Sequence, residues 1–469
     1  MLIYNTFSKT KEEFIPLTPP EVTFYVCGPT VYDYFHIGNA RSFIMADIFR
    51  RYLEYKGFNV KFVMNLTDVD DRIIKKSIDQ KKPSAEISNF YIDAFLEDIE
   101  KLRVKPASVF PKATQHIPEM ISIIKELIEN GKAYNVDGNV FYDVSKFPDY
   151  GKLSGKNLEE LTAGARVEIN ETKKNPLDFA LWKKAKEGEP FWESPWGNGR
   201  PGWHIECSAM SSKHLGETID IHAGGNDLIF PHHENEIAQS EGAHGHKFVK
   251  YWIHFGFLNI NEEKMSKSLG NFLTAREILK KYSAEAIRLF FTQTYYGGPL
   301  NFSFELLAAA EKGVEKIKNL AEKIEEEIKK DNNVGILPEF DLKYYYDEFA
   351  KVMDDDLNTS QAVALIFDLV RNANKIISDY ENINVSFYQD LKQFLTRTAQ
   401  EVFGIVHFNE ITRPESLGID HKLIELLLEL RIKLKKEKNF ILADLIRDEL
   451  NKLGIELKDG KEGTSYKIK

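Results

Sequence analysis

Only two of the 469 residues are cysteine, Cys27 and Cys207. That scarcity excludes the disulfide framework of a small secreted domain and fits a reducing compartment, the cytoplasm. No apolar run approaches the ~20 residues of a membrane-spanning helix, so no membrane partner is expected. The opening residues Met1-Leu2-Ile3-Tyr4-Asn5 lack the basic start and apolar stretch of a signal peptide. Positive charge is in deficit, with a net −10, which disfavours indiscriminate nucleic-acid binding but leaves room for a local basic site. Internal repeats and long disordered tracts are also missing.

What is there reads as an ordinary soluble protein, 43% hydrophobic and 29% charged, long enough for roughly three domains. Charge is uneven. Residues 421–469 hold 12 Lys or Arg against 9 Asp or Glu, and Lys433, Lys435, Lys436 and Lys438 crowd one stretch. This pattern suits a solvated helix face or a phosphate-contacting surface.

Residues 22–28 predict a buried strand ended by Gly28-Pro29, residues 40–56 a helix stopped by Gly57, and residues 58–64 a second strand. That order predicts a parallel βαβ unit. Residues 71–130 look mostly helical, and 132–200 break into short strands between turns, as an insertion would. Strand character returns at 218–222, with a helix at 231–241. All five tryptophans lie between Trp182 and Trp252, which suits a pocket rim or plain core packing. From about Glu305 the chain turns helical, with amphipathic stretches at 311–330, 354–375 and 386–403. A linker is expected at 409–419, then two helices over 421–453 and a strand pair over 454–469.

Two short segments suit phosphate chemistry. His36-Ile37-Gly38-Asn39 lies between a strand and a helix, where backbone N–H groups and the helix dipole favour an anion. Gly38 admits a nucleotide close to the backbone, and His36 can donate to a phosphate. Lys264-Met265-Ser266-Lys267-Ser268 places two lysines on a small-residue loop able to swing toward a triphosphate. Gly225-Asn226-Asp227 ends a strand, where a carboxylate can hold ribose hydroxyls.

In this order the two segments resemble the paired signatures of the class I aminoacyl-tRNA synthetases. Residues 27–32 (CGPTVY), 65–72 (NLTDVDDR), 200–210 (RPGWHIECSAM), 230–236 (FPHHENE), 355–359 (DDLNT) and 443–450 (ADLIRDEL) narrow the resemblance to the cysteinyl-tRNA synthetases and extend it over essentially the whole chain. One departure stands out. The common first signature ends in a second histidine, whereas Asn39 can donate a hydrogen bond but cannot become cationic.

The resemblance implies an α/β Rossmann-type catalytic domain with an inserted connective peptide. A mostly α-helical tRNA-binding region and a small C-terminal α+β anticodon-binding unit should follow. The divisions are 1–104 and 201–304 for the two halves of the catalytic domain, 105–200 for the insertion, 305–408 for the helical bundle and 409–469 for the terminal unit. The implied activity is ATP-dependent joining of L-cysteine to cysteine tRNA, by a monomer using one zinc ion and magnesium with ATP. His36, Asn39, Lys264 and Lys267 are the expected catalytic residues. ATP contacts fall on Pro29, Thr30, His36, Gly38, Asn39, Asp227 and Lys267, and the amino-acid pocket on Thr67 and Trp203. In the tail, Tyr466 stands where relatives often carry tryptophan, and either ring could stack on a base.

Four zinc ligands are implied on Cys27, Cys207, His232 and Glu236. The residues alone agree only in part. His232 and Glu236 are four apart, on one face of a helix, and two thiols with an imidazole and a carboxylate suit zinc. Inert buried cysteines fit the spacing too, and His233 competes with His232. Zinc would distinguish cysteine from serine, which shape alone separates by only ~1–3 kcal/mol, so no editing domain is expected. Rival readings are a cysteine ligase with a small amine acceptor and a noncatalytic RNA-binding paralogue.

Overall fold

The computed structural model describes residues 1–156, 173–260, 263–264, 273–411, 420–437, 439–460 and 463–468. They form two compact units, Met1–His407 and Phe408–Lys469. Among the described residues, no helix is long and apolar enough to cross a membrane.

The first unit is built around a four-stranded, all-parallel sheet in the order Val249–Phe255, Ile219–Gly225, Glu21–Val26, Asn59–Met64. Val22, Phe24, Tyr25 and Val26 are buried, as a strand covered on both faces requires. Register places Val26 beside both Met64 and Ala223, so the carboxyl ends of these strands share one edge. In open α/β sheets that edge is where ligands bind.

The helix Ile37–Tyr55 returns the chain from Glu21–Val26 to Asn59–Met64. It begins three residues before the predicted start, because His36 itself caps it: its side chain accepts from the Asn39 N–H. Residues 71–130 resolve into helices Asp71–Gln80, Ser84–Lys101 and Ile117–Glu129. Where an insertion is expected, a separate antiparallel sheet forms from Ala133–Val136, Asn139–Tyr142, Phe179–Lys184 and Gly199–Pro201. One hydrophobic cluster runs from Val63 through Ile124, Tyr142 and Trp182 to Trp252, so this sheet shares a core with the parallel one. Trp182 and Trp252 are fully buried while Trp203 is 41% exposed. Trp182 and Trp252 are therefore core, Trp192 and Trp196 pack against it partly buried, and Trp203 is exposed.

Beyond Ser303 come Phe304–Lys330, Leu342–Asp354, Thr359–Asp379 and Val385–Leu395, capped by Ser303, Asp341, Asn358 and Asn384. The predicted helix 354–375 is corrected. Asp354 ends one helix, and Asp356 and Leu357 take left-handed backbone (φ +59° and +48°) before the next begins. The stretch 386–403 ends in a π turn at Thr396–Gln400.

The second unit consists of helices Asp420–Lys436 and Phe440–Lys452 and the hairpin Ile455–Gly460 with Gly463–Ile468. Ile424, Leu428, Leu450, Ile455 and Leu457 form its core. The expected linker begins with a short helix, Phe408–Ile411. Residues 412–419 and the side chain of Tyr466 lie outside the described set.

Candidate active site and metal centre

Cys27 follows the last residue of the inner strand Glu21–Val26 and is buried. Cys207 lies in the first turn of the helix Ile205–Leu215, where the dipole favours a thiolate. His232 belongs to the π segment Ile229–His233, and Glu236 to the helix Glu234–His244 that follows it. The expected single helix over 231–241 is thus a π turn joined to an α-helix. His232 Nε2 still reaches Glu236 Oε1 at 2.9 Å.

These four residues present one sulfur, nitrogen or oxygen atom each, all within 4.8 Å of one another and all buried. A second group, Cys27, His222, His233 and Glu236, meets the same limit and shares two members. His222 Nε2 bonds the other Glu236 oxygen at 2.9 Å, and His233 Nε2 lies 3.3 Å from Cys27 Sγ. His233 Nδ1 in turn meets His254 Nε2 at 2.7 Å, and His204 Nδ1 meets His232 Nδ1 at 2.6 Å.

Burial, the Cys207 hydrogen bond and the Cys207 and Glu236 charges hold the Cys27 thiol well above its ordinary value. Burial opposes ionisation of Cys207, but the bond from Cys27 and the His232 imidazole bring it down to about 6. Burial likewise opposes Glu236, and His222 and His232 outweigh it, bringing that carboxyl down to about 2. Three acids in one dry site ionise together only beside a cation, and this donor set fits a tetrahedral metal of zinc's type.

The amino-terminal signature lines a separate cleft. His36, Gly38 and Asn39 face Gly225, Asp227 and Phe255 to Leu258 across it. Asp227 packs close over Gly225: a Cβ there would lie 2.5 Å from Asp227 Oδ1 and push that carboxylate aside. The loops after the two adjacent strands are zipped together: Thr67 N–H donates to Pro29 O and Val31 N–H to Thr67 O, both at 3.1 Å. Gly28 N–H donates to Asn65 Oδ1 at 2.8 Å, and a Cβ on Gly28 would collide with Asn65 O at 1.8 Å. Thr67 is buried and takes a bond from Asn65 Nδ2 at 3.1 Å. The Trp203 ring lies 5.2 Å from that of His232.

The backbone of Lys264 pairs with Asn259 in a short strand. The Lys264 side chain and all of Lys267 lie outside the described residues. Sequence reasoning missed His204, His222 and His254. The available signal was a histidine inside an apolar strand, as in Ile219-Asp220-Ile221-His222-Ala223, because a buried polar group needs a partner.

Residues 13–312 match the family model "tRNA synthetases class I (C) catalytic domain", and residues 348–407 match the DALR domain. The fold is that of Mycobacterium tuberculosis methionyl-tRNA synthetase in complex with methionyl-adenylate, at a TM-score of 0.62 and 18% identity, over 87% of this chain and 94% of that one. The chain belongs to the class I tRNA synthetases. It is 51% identical to the cysteine–tRNA ligase of Carboxydothermus hydrogenoformans, over 100% of both chains. It is 52% identical to that of Pyrococcus horikoshii, over 100% of this chain and 99% of the relative. Within the class, its family is therefore that of the cysteine–tRNA ligases.

Proposed function

We infer that the chain activates L-cysteine with ATP and transfers it to the terminal adenosine of cysteine tRNA, in the cytoplasm. The full-length likeness to cysteine–tRNA ligases carries this reading. A DALR match at 348–407 favours tRNA over a small amine as acceptor.

In the first step a cysteine carboxylate oxygen attacks the α-phosphorus of ATP. The bond to the bridging oxygen breaks and pyrophosphate leaves. Catalysis then consists of positioning and of stabilising charge on phosphate oxygens. His36 Nδ1 accepts the Asn39 N–H at 3.1 Å, so the neutral ring carries its proton on Nε2, a donor for phosphate. The helix beginning at Ile37 adds its dipole. Asn39, Pro29, Thr30 and Gly38 shape the nucleotide's approach, Asp227 holds the ribose, and Lys264 and Lys267 neutralise the phosphates with magnesium. In the second step the 2′-hydroxyl of the terminal adenosine attacks the acyl carbon and AMP leaves.

Cys27, Cys207, His232 and Glu236 would hold zinc. This group is favoured over the overlapping one because it uses both buried thiols. It also leaves His222 and His233 in supporting bonds to Glu236 and Cys27. Bound there, zinc supplies a thiophilic Lewis acid that favours the substrate's thiolate over the hydroxyl of serine. Trp203 and Thr67 flank the amino-acid pocket. Cysteine-dependent ATP–pyrophosphate exchange followed by charging of cysteine tRNA tests the proposal. Exchange without charging would favour the small-amine ligase, and neither activity would leave an RNA-binding protein.

A further inference from the structure

Arg41 lies one turn into the helix that His36 caps and is fully buried. Its Nη1 donates to the carbonyls of Gly256 and Phe257, both at 2.9 Å, and its Nη2 to those of Tyr295 at 3.2 Å and Tyr296 at 3.5 Å. These four acceptors are all backbone oxygens, and burial lowers its pKa to about 10. Burying a guanidinium against carbonyls is costly. What the arrangement gains is fixed backbone, because a planar fork reaches two segments at once. One of those segments is the far wall of the nucleotide cleft, where Gly256 and Phe257 face His36 and Asn39.

The other segment is held from outside the catalytic region. Asp356 accepts from Tyr296 Oη at 2.6 Å and Tyr4 N at 2.7 Å on one oxygen, and from Tyr295 Oη at 2.9 Å on the other. Asp356 is 2% exposed and belongs to the stretch matched by the DALR model, beyond the end of the catalytic match. Two successive non-glycine residues, Asp356 and Leu357, adopt left-handed backbone there, a conformation that persists only where its surroundings hold it. The Tyr295–Gly298 turn presses directly on the cleft wall. Gly256 N–H donates to Tyr296 O at 2.8 Å, and a Cβ on Gly256 would lie 1.9 Å from Gly298 O.

We propose that Arg41 and Asp356 are positioning residues for the nucleotide site: Asp356 fixes the Tyr295–Tyr296 turn, and Arg41 locks that turn to the Gly256–Phe257 wall. The helical region thus helps set the ATP site. This rests on the cleft being the ATP site of the proposed ligase.

The test uses the full-length, zinc-loaded protein and its Tyr296→Phe, Asp356→Asn and Arg41→Lys variants. KM for ATP and for cysteine are measured in pyrophosphate exchange, together with bound zinc and Tm. Tyr296→Phe and Asp356→Asn should raise KM for ATP roughly fivefold, the scale of one lost hydrogen bond, and Arg41→Lys by more. KM for cysteine and the zinc content should stay within about twofold of the parent. The double variant Arg41→Lys with Tyr296→Phe should be no worse for ATP than Arg41→Lys alone, since both cut one path. A lowered Tm with unchanged KM for ATP, or equal rises for both substrates, would make the clamp purely structural and overturn the inference. If Arg41→Lys does not fold, Tyr296→Phe, which removes a single hydroxyl, decides alone. Failure of the parent chain to show cysteine-dependent exchange would instead refute the ligase assignment.

Discussion

His36 Nδ1 accepts the backbone N–H of Asn39 at 3.1 Å, so the imidazole proposed to meet ATP is also the cap of its own helix. The two roles separate by substitution. Asparagine caps a helix as well as any residue, so His36→Asn should keep the unfolding free energy within about 1 kcal/mol. Without the ring donor, pyrophosphate exchange should fall by roughly 100-fold. Gly38→Ala attacks the same bond from the other side. Its Cβ would lie 2.9 Å from His36 Nδ1 and 3.0 Å from Cε1, displacing the ring, and it too should slow exchange. Denaturant unfolding and exchange rates, measured side by side, check both. Parallel losses of stability and rate in His36→Asn would reduce the residue to a cap.

The overlapping metal groups make opposite predictions. With zinc on Cys27, Cys207, His232 and Glu236, Cys207→Ser and His232→Ala should each lose bound zinc and cysteine activation together. His222→Ala should retain the metal with roughly 10–100-fold weaker affinity, as loss of a supporting bond does. Zinc content after dialysis reads this directly. Retention in Cys207→Ser with loss in His222→Ala would move the ion to the other group.

Lys267→Ala should slow pyrophosphate exchange by roughly 100-fold while leaving cysteine binding within about twofold, because its charge is proposed to act on the phosphates. Equal effects on both would make Lys267 a binding residue only.

Acid should loosen the first unit through Asp47. Burial raises this carboxyl, but Arg288 and Arg51 outweigh it and hold it below its ordinary value. Arg288 Nη2 and Arg51 Nε both reach Asp47 Oδ2 at 2.7 Å. A depressed carboxylate contributes stability above its unfolded value of about 3.9 and loses it as pH falls through the lower folded value. Asp47→Asn should therefore be about 3 kcal/mol less stable near pH 7, the scale of a broken buried pair. The gap to the parent should narrow progressively below about pH 4. Urea unfolding across that range measures it, and a constant gap would mean that the charge is irrelevant.

Much of this architecture was legible because its signals are local. The apolar run before Cys27, the capping segment at His36 and the turn signals between 132 and 200 each announce an element from neighbouring residues. What escaped depends on distant partners. The break at Asp355-Asp356-Leu357 looks helical in sequence, and bonds from Tyr4, Tyr295 and Tyr296 hold it open. Arg41 sits on the buried face of an otherwise regular helix, and nothing nearby foretells its four carbonyls. The metal-site histidines are similar: His222 and His254 lie on adjacent strands and meet Glu236 and His233 only once the sheet forms.

Bound zinc is proposed to let the enzyme charge cysteine tRNA while rejecting serine. Aminoacylation of cysteine tRNA with each amino acid, before and after zinc is stripped by chelation, tests it most directly. Cysteine charging should disappear with the metal and return on adding zinc, with serine at background throughout. Undiminished cysteine charging by the metal-free protein, or serine charging by the zinc-loaded one, would contradict it.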